Sequence, residues 1–108
     1  EATAEKMTFA NYFAPRVTAV IGTHTHVQTA DEQIINGCAY ITDAGMCGVY
    51  ASILGRDTEE VIARSIYNES TRYTPAQGPA VISGVLIDID EKTNRANQIE
   101  RLQIRPKG

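Results

Sequence analysis

The chain has 108 residues and a formal net charge of -3, with 10 Lys plus Arg against 13 Asp plus Glu. That length sustains one domain at most, and 43% apolar against 21% charged residues is a globular balance that argues against disorder. The acidic balance argues against general nucleic-acid binding, which needs a basic face, while leaving room for a small phosphorylated substrate held by a metal.

In chain order, residues 1–14 read as a helix. Met7, Ala10 and Ala14 share one stripe, and Phe9 and Phe13 sit beside it at i, i+4 spacing. Pro15 stops it, since proline disfavours helical geometry in the residue before it and has no N–H. No Ser, Asp or Asn caps its start and no Met opens the chain, a pattern that processing would produce as well as a start inside something larger. Residues 17–22 are β-branched and apolar, the pattern of a short strand buried on both faces. A helix followed by such a strand suggests an α/β layered domain.

Residues 23–31 are polar and read as a loop at the carboxyl end of that strand. Gln33 to Ile35, Asn36-Gly37 and Cys38 to Thr42 read as strand, type I′ turn, strand, because Asn-Gly tolerates the positive φ angles such a turn demands. Residues 43–48 read as a flexible loop. Asp57 suits an N-cap, Glu59 and Glu60 suit the first helical turn, and that helix is expected to run to about Asn68. Residues 70–79 carry Thr, Pro, Gln and Gly and read as a connecting loop. The most apolar stretch, 81–89, places Val85, Ile87 and Ile89 on one strand face. A polar turn at 90–95 leads to a returning strand at 99–104. The odd separation of Ile99 and Leu102 suggests a bulge between them.

No apolar run approaches the ~18–20 residues that span a bilayer, and residues 1–6 carry no basic-then-apolar leader. Cys38 and Cys47 fit neither a CxxC knuckle nor a dense disulfide scaffold. Reduced thiols and a cytoplasmic setting are expected, with no membrane association.

The chemistry concentrates in one place. His24 and His26 are the only histidines, and they stand in Gly22-Thr23-His24-Thr25-His26. The pair opens a polar loop after a strand, where α/β sheets place their ligands. Imidazoles at i, i+2 can address one metal or two adjacent metals. A catalytic zinc wants three protein ligands, and no third His exists. Asp43 is the best internal carboxylate candidate, although an Asp before a glycine loop is ordinarily a turn former. Asp31 and Glu32 read as solvated. The glycine loop at 45–48 could offer N–H groups to a phosphate, but it matches no phosphate-loop pattern. Cys47 lacks a neighbouring base to activate it. Asp88 and Asp90 read as the wet face of a strand, and the tyrosines are scattered without forming a stacking platform.

The stretch Gly22-Thr23-His24-Thr25-His26-Val27-Gln28-Thr29-Ala30-Asp31-Glu32 resembles the signature of the bacterial YmdB-type metallophosphoesterases, within the calcineurin-like superfamily. The segment Glu1-Ala2-Thr3-Ala4-Glu5-Lys6 is similar to the one that follows a metal-binding His in that family. Ala39-Tyr40-Ile41-Thr42-Asp43-Ala44-Gly45-Met46 resembles its next strand and loop. Gly84-Val85-Leu86-Ile87-Asp88-Ile89-Asp90 and Ile99-Glu100-Arg101 resemble its terminal hairpin. The resemblance covers nearly the whole chain.

It implies an α/β chain forming the carboxyl-terminal part of a four-layer α/β/β/α fold with mixed β-sheets, and a centre of two divalent metal ions, iron or manganese. The activity it implies is hydrolysis of phosphodiesters such as 2′,3′- or 3′,5′-cyclic nucleotides. His24 and His26 would be metal ligands, one to each ion; no catalytic or substrate-binding residue is assigned. In the family a ligand His stands two positions before the Glu that matches Glu1, and the other ligands belong to the amino-terminal half. Residues 1–108 are therefore expected to be the carboxyl-terminal portion of a single domain, inactive without the amino-terminal half as partner. An uncovered apolar face would also favour a homo-oligomer. Two other readings compete. His24-x-His26 with Glu32 and Gly37 loosely resembles a cupin's first metal motif, but no later His follows and two helices suit a small barrel badly. The third reading is an interaction piece without chemistry.

Overall fold

The computed structural model describes residues 2–105. Helix α1 spans Thr3–Phe13 and begins from Ala2, which offers no side-chain cap; Glu1 lies outside the described residues. The chain then forms β1 (Ala19–Ile21), β2 (Gln33–Ile35), β3 (Cys38–Ile41), β4 (Gly48–Val49), α2 (Thr58–Ser65), β5 (Ala80–Ile89) and β6 (Ala96–Ile104). The mixed α/β class expected from the sequence is what the chain adopts.

The first sheet has the order β1-β3-β2, with β1 parallel and β2 antiparallel to β3. The Asn36-Gly37 turn sits where the sequence put it, with φ of 47° and 80°. Strand β3 is central and wholly buried, from Cys38 to Ile41. The expectation of a doubly buried strand at 17–22 fails for β1, whose Ile21 is 41% exposed. It is an edge strand, so its apolar run marks the sheet without being enclosed by it. The second sheet, β4-β5-β6, is antiparallel throughout.

The long β5–β6 hairpin keeps continuous register from Ile87↔Ile99 to Ile82↔Ile104. No bulge separates Ile99 from Leu102; the register shift falls between Asp88 and Ile89 instead. Odd spacing simply puts Ile99 and Leu102 on opposite faces, and Leu102 is half exposed. Strand β4 is an element the sequence did not announce, and α2 ends at Ser65, short of Asn68. Asp57 does cap α2: its carboxylate accepts the Glu60 N–H at 3.0 Å.

Strand β6 lies against β2 and β3 and so joins the sheets. Arg95 locks the joint. Its guanidinium donates to the backbone carbonyls of Ala14, Pro15, Val17 and Asn36, tying the hairpin turn to the end of α1 and to the β2–β3 turn. The whole measures 54 × 31 × 17 Å. So thin a slab cannot bury both faces of its sheets, and Phe9, Tyr12 and Leu86 stay largely exposed.

Candidate functional site

The histidine loop leaves β1 through Gly22. The Gly22 N–H donates to Ile41 O at 2.9 Å and its carbonyl accepts the Ala44 N–H at 2.9 Å. A Cβ at this position would stand 1.9 Å from the Thr42 carbonyl oxygen. Only glycine lets the ends of β1 and β3 approach so closely. Lys6 Nζ then donates to the carbonyls of Thr23 and Thr42, at 3.1 and 3.3 Å.

Asp43 holds the loop from beneath. Its Oδ2 accepts both the backbone N–H and the hydroxyl of Thr25, each at 2.7 Å, and its Oδ1 accepts the Gly45 N–H at 2.9 Å. The residue between the two histidines is thus fixed by a fully buried carboxylate. A second carboxylate braces the far end. Asp31 accepts from the Thr29 hydroxyl at 2.6 Å, from the Thr42 N–H at 3.1 Å and from the Thr42 hydroxyl. Because Thr42 gives its proton to Asp31, the buried Tyr40 hydroxyl, 2.9 Å away, donates to Thr42. The Asp43 backbone N–H completes the frame by donating to Thr29 Oγ1 at 3.0 Å.

Burial pushes both carboxyls upward, but the donors outweigh it. The Gly45 N–H, the Thr25 hydroxyl and N–H and the Lys6 charge hold Asp43 below the usual aspartate range. The Thr29 and Thr42 donors do the same for Asp31. In both, hydrogen bonds from these donors favour the anion. Asp43, the carboxylate candidate of the sequence, turns its oxygens inward onto these donors. Asp31 is likewise part of the frame and not simply solvated. Glu32 pairs with Arg101 at 2.9 Å. The loop at 45–48 is not poised for phosphate by Gly45, whose N–H is taken by Asp43.

His24 and His26 are both exposed on this braced loop. His26 has a φ of 69°, a left-handed conformation that non-glycine residues adopt sparingly and that collects at functional sites. Its Nδ1 lies 3.2 Å from Leu54 O. A carbonyl only accepts, so Nδ1 carries the proton in this bond and Nε2 is the ring nitrogen left outside it. This is how metal-ligating histidines are oriented. The donor set is nonetheless open: among the described residues, no three His, Cys, Asp or Glu side chains gather into a metal-binding group. The two imidazoles share one exposed loop, and the described residues close no metal site around them.

A cleft of about 340 Å³ opens beside His26. The histidine loop contributes Gln28, the β4–α2 segment Tyr50 and Leu54, β6 Arg101 and Gln103, and the residue just after β6 Arg105. The guanidinium of Arg105 lies 4.7 Å from the centre of the Tyr50 ring. Sequence reading counted Tyr50 among scattered tyrosines, took Arg101 only as part of the terminal hairpin and did not single out Arg105. One signal was present: residues 101 and 103 alternate on β6, residue 105 continues that spacing just beyond it, and 81 and 83 alternate on β5 opposite, and all five line the cleft.

Comparisons with known proteins agree with this architecture. A family model described as YmdB-like protein matches residues 1–102. A Bacillus subtilis protein named 2′,3′-cyclic-nucleotide 2′-phosphodiesterase is 52% identical over 105 residues, which are 96% of this chain and 40% of that one. A crystal structure of a novel phosphatase from Mycoplasma pneumoniae superposes with a TM-score of 0.89 at 36% identity, covering 97% of this chain and 38% of that one. A hypothetical protein from Thermus thermophilus gives the same TM-score and identity, with 99% and 42% covered. The chain spans about two fifths of the length of the curated relatives it matches.

Proposed function

The chain belongs to the YmdB-like family, and from that membership we propose that it supplies the two-histidine side of a phosphodiesterase centre. The substrate class is a small phosphodiester, with 2′,3′-cyclic nucleotides first and 3′,5′-cyclic nucleotides as a further member. The observation that carries the reading is the braced loop: His26 is held by Leu54 O through Nδ1 and presents Nε2, one residue from a Thr25 anchored on Asp43.

His24 and His26 act as ligands to divalent ions, iron or manganese, two in number. Bound there, such ions supply Lewis-acid charge to the phosphate oxygens and acidify a water molecule. The residues of this chain do the rest of what is proposed. Asp43 and Thr25 keep the two rings in place, Leu54 O selects the tautomer of His26, and the cleft beside it receives the organic part of the ester. The missing ligands belong to the part of the longer relatives that this chain does not match, and the chain is inactive without such a partner segment. Exposed Phe9, Tyr12 and Ile21 supply apolar surface against which that segment would pack.

The test supplies the chain together with that segment and iron or manganese, and follows hydrolysis of 2′,3′-cyclic AMP. H24A and H26A should each lower the rate by at least ~100-fold, the upper end of what even the outer partners of a metal ligand cost. An active H24A/H26A double variant would return both histidines to ordinary surface residues.

A further inference from the structure

We propose that the cleft beside His26 is the nucleoside subsite of this centre, with Tyr50 and Arg105 as its wall and Arg105 as the cation that meets the ligand's negative charge. The inference rests on the phosphodiesterase reading above and names the residues that read the organic part of the substrate.

Position comes first. His26 and Leu54 both line the cleft, and they are the two partners of the hydrogen bond made through His26 Nδ1. The cleft is thus the space next to His26 that could receive the organic part of an ester bound there. Size is the second point. About 340 Å³ falls at the small end of the ~300–1,000 Å³ typical of small-molecule sites, which suits one nucleoside and not an oligonucleotide.

Chemistry is the third. Tyr50 and Arg105 bring an aromatic ring and a guanidinium together, 4.7 Å apart. Bases stack on aromatic rings and on guanidinium planes without regard to their identity. The charge balance of the cleft is positive: Arg101 Nε meets Glu32, while Arg105 Nε bonds the neutral Gln103. Among the described residues Glu32 is the one carboxylate paired with either arginine. A second cation facing a neutral amide fits an anionic ligand. The Gln28 amide is spent on the carbonyls of Ala44, Gly84 and Leu102, so it fixes the cleft's floor and is not a reader of the base.

The first test is binding without metal. With EDTA present, the 108-residue chain is titrated with adenosine 3′-phosphate, with adenosine and with inorganic phosphate, followed by NMR. Saturable shifts at Tyr50, Ser83 and Gln103 are expected with the nucleotide, with phosphate alone binding at least tenfold more weakly. Y50L should weaken nucleotide binding about tenfold, within the loss expected for one stacked base. Equal responses to nucleotide and phosphate, or shifts away from the cleft, overturn the proposal.

The second test uses the chain completed by its partner segment. Y50L and R105Q should each lower the preference for 2′,3′-cyclic AMP over the base-free glycerol cyclic phosphate about tenfold. An unchanged preference in both variants also overturns it. If the wild type hydrolyses neither ester, the phosphodiesterase reading fails, and the metal-free titration still decides whether the cleft binds a nucleoside.

Discussion

Replacing Asp43 by asparagine should expose how the histidine loop is held. Three donors converge on this buried carboxylate: the Thr25 N–H, the Thr25 hydroxyl and the Gly45 N–H. Asparagine brings one acceptor and two further N–H donors into the same space. With its oxygen turned to Thr25, its NH2 group meets the Gly45 N–H donor against donor. Hydrogen bonds to a charged group contribute ~1.5–3 kcal/mol each, and a buried donor left unpaired costs ~1–3 kcal/mol. Neutral bonds to Thr25 survive in part, so D43N should lose about 3 kcal/mol, a large fraction of the ~5–15 kcal/mol that folds a domain.

Urea unfolding at pH 7 reads this as a lower midpoint at constant slope. Acid adds a second signature. The folded-state pKa of Asp43 is lowered from the ordinary 3.8. Its contribution is therefore complete above that value and lost as pH falls from there through the folded pKa. The gap between wild type and D43N should be widest at neutral pH and close below 3.8. A loss under ~0.5 kcal/mol, the scale of an indifferent surface change, would refute the reasoning, as would a gap that persists in acid.

G22A should be severe, because its Cβ would meet the Thr42 carbonyl at 1.9 Å; a loss of about 3 kcal/mol or more is expected, and an unchanged melting temperature would deny the close approach of β1 and β3. D57A removes the acceptor of the Glu60 N–H and should cost about 1 kcal/mol, while D57N retains most of it; circular dichroism during unfolding compares the two. R95M leaves the carbonyls of Ala14, Pro15, Val17 and Asn36 without their shared donor, and a loss of about 2–3 kcal/mol is expected. R95K, with a charge but no planar fork, should fall between wild type and R95M in the same denaturant midpoint.

Much of the fold was legible because it is written in local chemistry. Asn36-Gly37 demanded a tight hairpin turn, Asp57 with Glu59 and Glu60 announced a helix start, and Pro15 ended α1. The alternation of 81–89 and 99–104 marked the long hairpin. Where the reading failed, the deciding force was not local. Residues 17–22 are apolar enough for a central strand, yet β1 sits at an edge, since nothing in six residues records which neighbours a sheet will supply. The bulge was sought at Ile99 to Leu102 because burial was assumed for both, whereas the thin slab leaves Leu102 half exposed.

The candidate site divides along the same line. The sequence by itself determined that His24 and His26 share one loop, that Gly22 opens it, and which family the run from Gly22 to Glu32 resembles. Only the tertiary structure decided that Asp43 clamps Thr25, that Leu54 O takes up His26 Nδ1, and that Tyr50, Arg101 and Arg105 converge beside it. These residues come from separate loops and strands. What unites them is the register of β5 with β6 and the packing of β6 on the first sheet, and both arise from contacts between segments remote in the chain, to which turn chemistry and hydrophobic periodicity are blind.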